Sequence, residues 1–242
     1  MRPNHLWALY FVYSPDGELN AAHQFTLARL REQGFAIALV IAAAKSHDIA
    51  VCATEMADWV AWKELPGYDF SAYALGLTML ARYSPKATVL VLNDSVLGPF
   101  GDVRSAVINA PWDLTGFTAS GLLENHVQSY AFVLRDVTRA RLRALWPVLF
   151  PWVACGGRDD VIACQETRLA RVAARSMSVG AYWYLRTGDP TQVVPFDLME
   201  VGFPFFKKSL TESRSPFPHK DRARAFIDHA LNPAVSLRAG KP

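Results

Sequence analysis

Cysteine is scarce in this chain. Its three residues, Cys52, Cys155 and Cys164, form no Cys-x-x-Cys pair, and no second pair of cysteines or histidines stands at zinc-binding spacing. An odd set of thiols fits a reducing, cytoplasmic setting and argues against a disulfide framework or a structural zinc site. Charge of one sign is also lacking. The 25 Lys and Arg residues against 22 Asp and Glu leave a net charge of +3, without the concentrated basic face that nucleic acid requires. No apolar run reaches the roughly 20 residues of a membrane span. The opening run, Leu6 to Tyr13, reads as a buried strand rather than a leader. Gly-x-Ser-x-Gly, Walker and Gly-x-Gly-x-x-Gly motifs are missing too, which removes the usual signatures of a serine hydrolase, a P-loop enzyme or a dinucleotide-binding enzyme.

What is present is a long, apolar chain. Of its 242 residues 51% are hydrophobic and 19% charged, enough to build a core without staples. Leu6 to Val12 is continuously apolar, as in a strand covered on both faces. Ser14-Pro15-Asp16-Gly17 is a turn. An apolar stripe predicts a helix over 18–33, stopped by Gly34, and Phe35 to Ala43 predicts a second strand parallel to the first. Trp59 to Leu65 reads as a third strand. Asp69 is placed to cap a helix over 70–82, and Ala87 to Leu92 is a fourth strand. Beyond residue 110 the alternation weakens. Strands are expected at 113–119, 129–134 and 182–186. Helices are expected at 137–149, ended by Pro151, at 160–176, capped by Asp159 or Asp160, and at 204–211 and 220–231. The pattern gives a single α/β domain over 1–242: a mixed open sheet with a Rossmann-like first half and helices on both faces.

In such sheets ligands sit beyond the carboxyl ends of the strands. Two polar clusters fall there: Gly67-Tyr68-Asp69-Phe70 after the third strand and Asn93-Asp94-Ser95 after the fourth. The segments GYDFSAYALGL, VLVLNDSVLGPFGDV, FTASGLLENHVQSYAFVL and VGFPFFKKSL succeed one another between residues 67 and 208. In that order they resemble the blocks of the rhamnan synthesis protein F (RgpF)-like family of bacterial surface-polysaccharide glycosyltransferases. The resemblance implies a GT-A-like sheet, with 1–110 as the nucleotide-sugar half and 111–242 as the acceptor side with C-terminal helices. It implies sugar transfer from a nucleotide sugar, with dTDP-rhamnose a candidate donor, to a lipid-linked or oligosaccharide acceptor of lipopolysaccharide, O-antigen or capsule. No nucleic-acid partner is expected. A basic stretch, SRSPFPHKDRARAF, is read either as a solvated helix or as a peripheral contact with the inner membrane.

Individual residues then take candidate roles, each beside a plainer one. Asp94 carries the only carboxylate of Asn93-Asp94-Ser95, too little charge for tight Mg²⁺ or Mn²⁺ binding. A weak metal contact, a hydrogen bond to the donor and a simple Asx turn all stay open there. Asp69 and Tyr68 are read as substrate contacts, with a helix cap and ordinary packing as the alternatives, and Asn93 and Ser95 as substrate contacts beside the Asx-turn reading. His126 is a candidate base or phosphate contact. Strand alternation puts His126 and Gln128 on one face and Ser129 on the other, with Gln128 free to read sugar hydroxyls. A general base is also sought among Asp159, Asp160 and Glu166, or, in the first half, at Asp94 or Asp69; the plain reading of Glu166 is a surface residue paired with Arg168, Arg171 and Arg175. Lys207 is a candidate diphosphate contact, with a solvated helix start as the alternative.

Overall fold

Every residue of Leu6–Tyr13 (β1) except the last is buried, so the strand lies inside a sheet covered on both sides. The structure, a computed structural model, describes residues 4–122, 124–150 and 153–232. After the turn, Asn20 caps Ala21–Glu32 (α1): its side chain accepts from the His23 amide at 3.0 Å, and His23 Nδ1 accepts from the Asn20 amide at 3.3 Å. This is a capping box with histidine in the Glu/Gln place. Gly34, at φ +75°, turns the chain into Ala36–Ala42 (β2). A short helix, Val51–Met56 (α2), precedes Trp59–Lys63 (β3). Then come Tyr68–Tyr83 (α3), Ala87–Asn93 (β4), Val96–Leu97 (β5) and Val103–Ile108 (α4).

The second half comprises Leu114–Ser120 (β6), His126–Val127 (β7), Ala131–Val137 (β8), Arg139–Leu145 (α5), Arg158–Val161 (α6), Thr167–Ala173 (α7) and Val179–Leu185 (β9). Pro190–Val193 (α8), Pro195–Glu200 (α9), Phe206–Lys207 (β10) and Lys220–Leu231 (α10) complete it. The main sheet runs β3-β2-β1-β4-β8-β6, with β9 on the far edge of β6 and the short β7 also paired to β6. The first four strands are parallel. β8 is antiparallel to β4 and β6, and β9 is parallel to β6. This is the expected mixed α/β sheet with helices on both faces. One core packs α3, α5 and α7 against Trp7, Leu9 and Phe132. The other packs α1 and α4 against Ala8, Tyr10 and Val133. Residues of opposite parity along β1 feed opposite cores, as strand geometry demands.

Several expectations are corrected. The helix over 137–149 begins later, because Val137 closes β8 and Thr138 caps Arg139 onward by accepting from the Arg141 amide; Pro151 lies outside the described residues. The helix over 160–176 starts after Gly157, so neither Asp159 nor Asp160 is its cap, and a π-helical stretch at Ile162–Glu166 interrupts it. Over 204–211 the chain is extended as far as Lys207, and only a short 3₁₀ helix follows at Lys208–Thr211. Phe203 and Phe205 enter the second core, while Phe206 enters a separate cluster with Phe196, Phe217 and Phe226. Adjacent phenylalanines with opposite destinations require extended chain, and Phe206–Lys207 pairs with β5. Among the described residues, no helix is long and apolar enough to cross a membrane.

Candidate active site

β1 has β2 on one side and β4 on the other, so the strand order reverses between β1 and β4. That topological switch point opens a crevice beyond the carboxyl ends of both strands. The crevice is a cavity of about 600 Å³, lined by Phe11 and Tyr13 from β1, Asn93 from β4, and side chains brought in from far along the chain. Seven residues singled out from the sequence line it together: Tyr68, Asp69, Asn93, Asp94, Ser95, Glu166 and Lys207.

Asp69 is not a helix cap. Gly67 is the N-cap, in the left-handed region at φ +94°, and Tyr68 comes next at φ +49°. Gly67 is required twice over: its conformation favours glycine, and a Cβ there would lie 2.4 Å from Ala154 Cβ. Two left-handed residues in succession swing the start of α3, so Tyr68 stands exposed at the rim and Asp69 points inward. Strain of this kind gathers at functional sites. Asp69 Oδ2 accepts from Asn93 Nδ2 at 2.9 Å and lies 3.2 Å from Ser129 Oγ. The Asx turn at the end of β4 is also real, since Asn93 Oδ1 accepts from the Ser95 amide at 3.1 Å and from its hydroxyl at 2.5 Å. Asparagine suits both tasks, because it donates to Asp69 where a carboxylate would repel it.

Glu166 is not the surface ion-pair residue of the plain reading. Its Oε1 accepts from the Ser129 amide at 3.0 Å and lies 3.0 Å from Ser129 Oγ. The π-helical stretch explains the inward turn. One extra residue in a turn rotates every later side chain about the helix axis. Gln165 anchors the stretch, buried and donating to Val148 O at 2.6 Å. Thr167 Oγ1 donates back to Ile162 O at 3.0 Å.

Ser129 thus stands between two carboxylates and owns one hydroxyl proton. Burial, and then the nearby charge of Glu166, push the Asp69 carboxyl up to about 6, against the hydrogen bonds from Asn93 and Ser129. Tyr73 donates to Ser129 O at 2.9 Å and lies 3.4 Å from Asp69 Oδ2. Its single proton is committed to the carbonyl, so the contact with Asp69 becomes a full hydrogen bond when the carboxyl carries a proton. A proton on Asp69 is therefore favoured only at mildly acid pH, while Glu166 accepts from Ser129.

Asp94 sits opposite. Its Oδ2 accepts from the Tyr13 amide at 3.0 Å and lies 3.5 Å from Nε2 of buried His23. His23 Nδ1 accepts from Asn20, so the ring proton is on Nε2, facing Asp94. Arg158, at the start of α6, is exposed at the rim. Lys207 is neither solvated nor on a helix. Its Nζ lies 2.8 Å from Asp189 Oδ2 and 5.1 Å from the centre of the Tyr130 ring. Burial raises the Asp189 carboxyl, but the Lys207 ammonium and hydrogen bonds from Lys207, Thr191 and Gln128 outweigh it and hold the group below its usual range. Behind the cleft, burial lowers Lys63 to about 8, against the attraction of Asp69 and Glu64. Its Nζ donates to the carbonyls of Glu64 and Pro66, tying down the loop before Gly67.

His126 and Gln128 do not join this cleft. They line a separate cavity on the other side of the strand, as the alternation with Ser129 requires. Ser129, Tyr130, Arg158 and Asp189 received no site role from the sequence. Only the placement of Ser129 opposite Gln128 hinted at one of them. Among the described residues, no group of three or more His, Cys, Asp or Glu side chains is placed to hold a metal ion. Asp69 and Asp94 each accept a hydrogen bond from a protein donor on one carboxylate oxygen.

A scan against protein-family profiles finds no match, and neither does a search of curated proteins. Solved structures align with much of the chain at low identity. The inositol-1-phosphate CTP transferase from T. maritima is 11% identical at a TM-score of 0.48, covering 75% of this chain and 86% of that one. The UTP-bound UGPase from Acinetobacter baumannii is 10% identical at 0.46, covering 74% and 86%. S. aureus TarS 1–349 is 11% identical at 0.45, covering 95% and 72%. Likeness of this degree leaves the chemistry to the site itself.

Proposed function

We propose that this chain is a glycosyltransferase that moves a sugar from a nucleotide-sugar donor to a hydroxyl of an acceptor glycan. The observation that carries the proposal is the switch-point cleft itself. Two carboxylates, Asp69 and Glu166, converge on Ser129 at its floor, with Arg158 and Lys207 on its walls. The donor belongs with the first half of the chain and the acceptor with the second. Glu166 is the base. The acceptor oxygen bonds to the anomeric carbon and its proton passes to Glu166. The bond from that carbon to the diphosphate breaks, its electron pair leaves with the nucleoside diphosphate, and Arg158 meets the charge that develops there. Asp69 accepts from Asn93 and lies beside Ser129, fixing both in place. Tyr68 offers an exposed ring at the rim to the donor, and Asp94 and Ser95 face the cleft from the end of β4. The RgpF-like sequence resemblance favours rhamnose as the sugar, dTDP-rhamnose as the donor, and surface polysaccharide built at the inner membrane face as the destination.

A second reading, a sugar- or nucleotide-binding module without transfer, draws on Asp94, which is held by Tyr13 and His23 rather than free to act. One experiment separates the two. Glu166→Gln keeps the shape of the cleft and removes the base. It is expected to bind nucleoside diphosphate as the wild type does and to lower transfer about 1000-fold, within the usual range for a lost general base. A ligand at a hundred times its dissociation constant adds about 2.7 kcal/mol of stability, which thermal shift detects. Wild-type protein that binds a nucleotide sugar and never transfers from it, across a panel of acceptor glycans, supports the binding module instead.

A further inference from the structure

A second cavity lies beyond the Lys207–Asp189 pair. It measures about 590 Å³ and is lined by Ser120, His126, Gln128, Asp189 and Gln192, with Val193 and the Pro216-Phe217-Pro218 segment as its apolar wall. It meets the first cleft at a shared partition. Asp189 lines the second cavity, Lys207 lines the first, and their ion pair closes the gap between them. Behind the partition runs a buried polar chain. Gln128 Oε1 accepts from the Thr118 hydroxyl at 2.7 Å, and Thr118 in turn hydrogen-bonds the Tyr130 hydroxyl.

The two cavities differ in what they can hold. The first has Arg158 and Lys207. No lysine or arginine occurs among the described residues lining the second. Its one carboxylate is neutralised by Lys207. What remains is a set of mixed donors and acceptors. Gln128 has two N–H groups, of which Asp189 takes one. Gln192 is exposed with a whole amide free to turn. His126 Nδ1 faces the Glu124 carbonyl at 2.8 Å, so the proton sits there and Nε2 is left as an acceptor. Vicinal hydroxyls, each both donor and acceptor, match such a set, whereas a phosphate finds no cation. The apolar wall suits the C–H face of a sugar ring.

We infer that this cavity binds a neutral pyranose unit of a glycan, as a subsite distinct from the nucleotide cleft. The inference deepens the transfer reading by naming the acceptor class, and it rests on that reading only for the word acceptor. Binding itself is tested without any donor. Wild-type protein is applied to an array of neutral oligosaccharides of hexoses, 6-deoxyhexoses and N-acetylhexosamines, and hits are titrated. Gln192→Ala removes the exposed amide, and Val193→Trp fills the cavity from an exposed position, so neither asks the core to change. Each is expected to weaken glycan binding by about tenfold or more, while stabilisation by nucleoside diphosphate stays at the wild-type level. Wild-type glycan affinity in both variants overturns the inference, and so does a wild-type protein that binds no neutral glycan. Glycan binding that is lost in the variants, in a protein without transferase activity, upholds the subsite and sinks the transfer reading alone.

Discussion

The parallel half of the sheet and the half beyond it are built on different terms. β1 and β2 are buried along almost their whole length, because helices cover both of their faces. β9 is half-exposed at nearly every position. The parallel half supplies the switch point and hence the place for a ligand. It also supplies Asp69 and Asn93. The other half supplies Ser129, Glu166, Arg158 and the Lys207–Asp189 pair, which give that place much of its charge and the base of the proposed transfer. The buried half locates the site, and the more exposed half supplies most of its charged groups. Such a division leaves room for one scaffold to carry different reactions.

Stability measurements would break or sharpen this comparison. Leu9 is fully buried in β1, and its methyl groups fill the space that a Cβ on Gly76 would claim. Leu9→Ala is expected to cost about 3 kcal/mol in denaturant unfolding. Tyr184→Ala on β9, where the side chain is 54% exposed, is expected to cost about 1 kcal/mol or less. Equal costs would erase the distinction between the halves.

The next effect concerns the partition between the cavities. Lys207→Met strands the Asp189 carboxylate, and we expect a loss of about 2 kcal/mol, trimmed from the value for a fully buried pair by its partial exposure. Adding Asp189→Asn should restore part of it. A double variant no better than the single one would show that the pair does not act as a unit.

The smallest effect is a pH dependence. Between 3.8 and about 6 the folded chain keeps the Asp69 proton that the unfolded chain releases. Stability contributed by this group therefore falls as pH rises through that window. Asp69→Asn should flatten the dependence and raise stability near neutral pH by about 1 kcal/mol, at the expense of function. Unchanged pH dependence would mean that Asp69 ionises normally.

Much of the parallel half was legible because its strands are continuous apolar runs and its helices carry stripes and stops such as Gly34. Tyr68 and Asn93 could be assigned to one cleft because strand ends in a parallel sheet face one way. Glu166 could not be read correctly. Arg168, Arg171 and Arg175 follow it closely enough in sequence to suggest surface ion pairs, but none stands three or four residues from it, the spacing at which helical side chains meet. The π-helical stretch that turns it inward has no signature in the local residues, only in the burial of Gln165 against Val148. Phe205 and Phe206 misled in a similar way, because a run of apolar residues does not state which core each will enter.

The order of the residues alone determined that strands β1, β2 and β4 form and where their polar ends lie, because burial on both faces demands uninterrupted apolar chain. Only the tertiary structure decided that Asp69 and Glu166 share Ser129, and that Lys207 and Asp189 divide one cavity from another. Each of these contacts joins residues remote in the chain, and the coupling of their charges exists only once the sheet has brought them within hydrogen-bonding distance and removed the water between them.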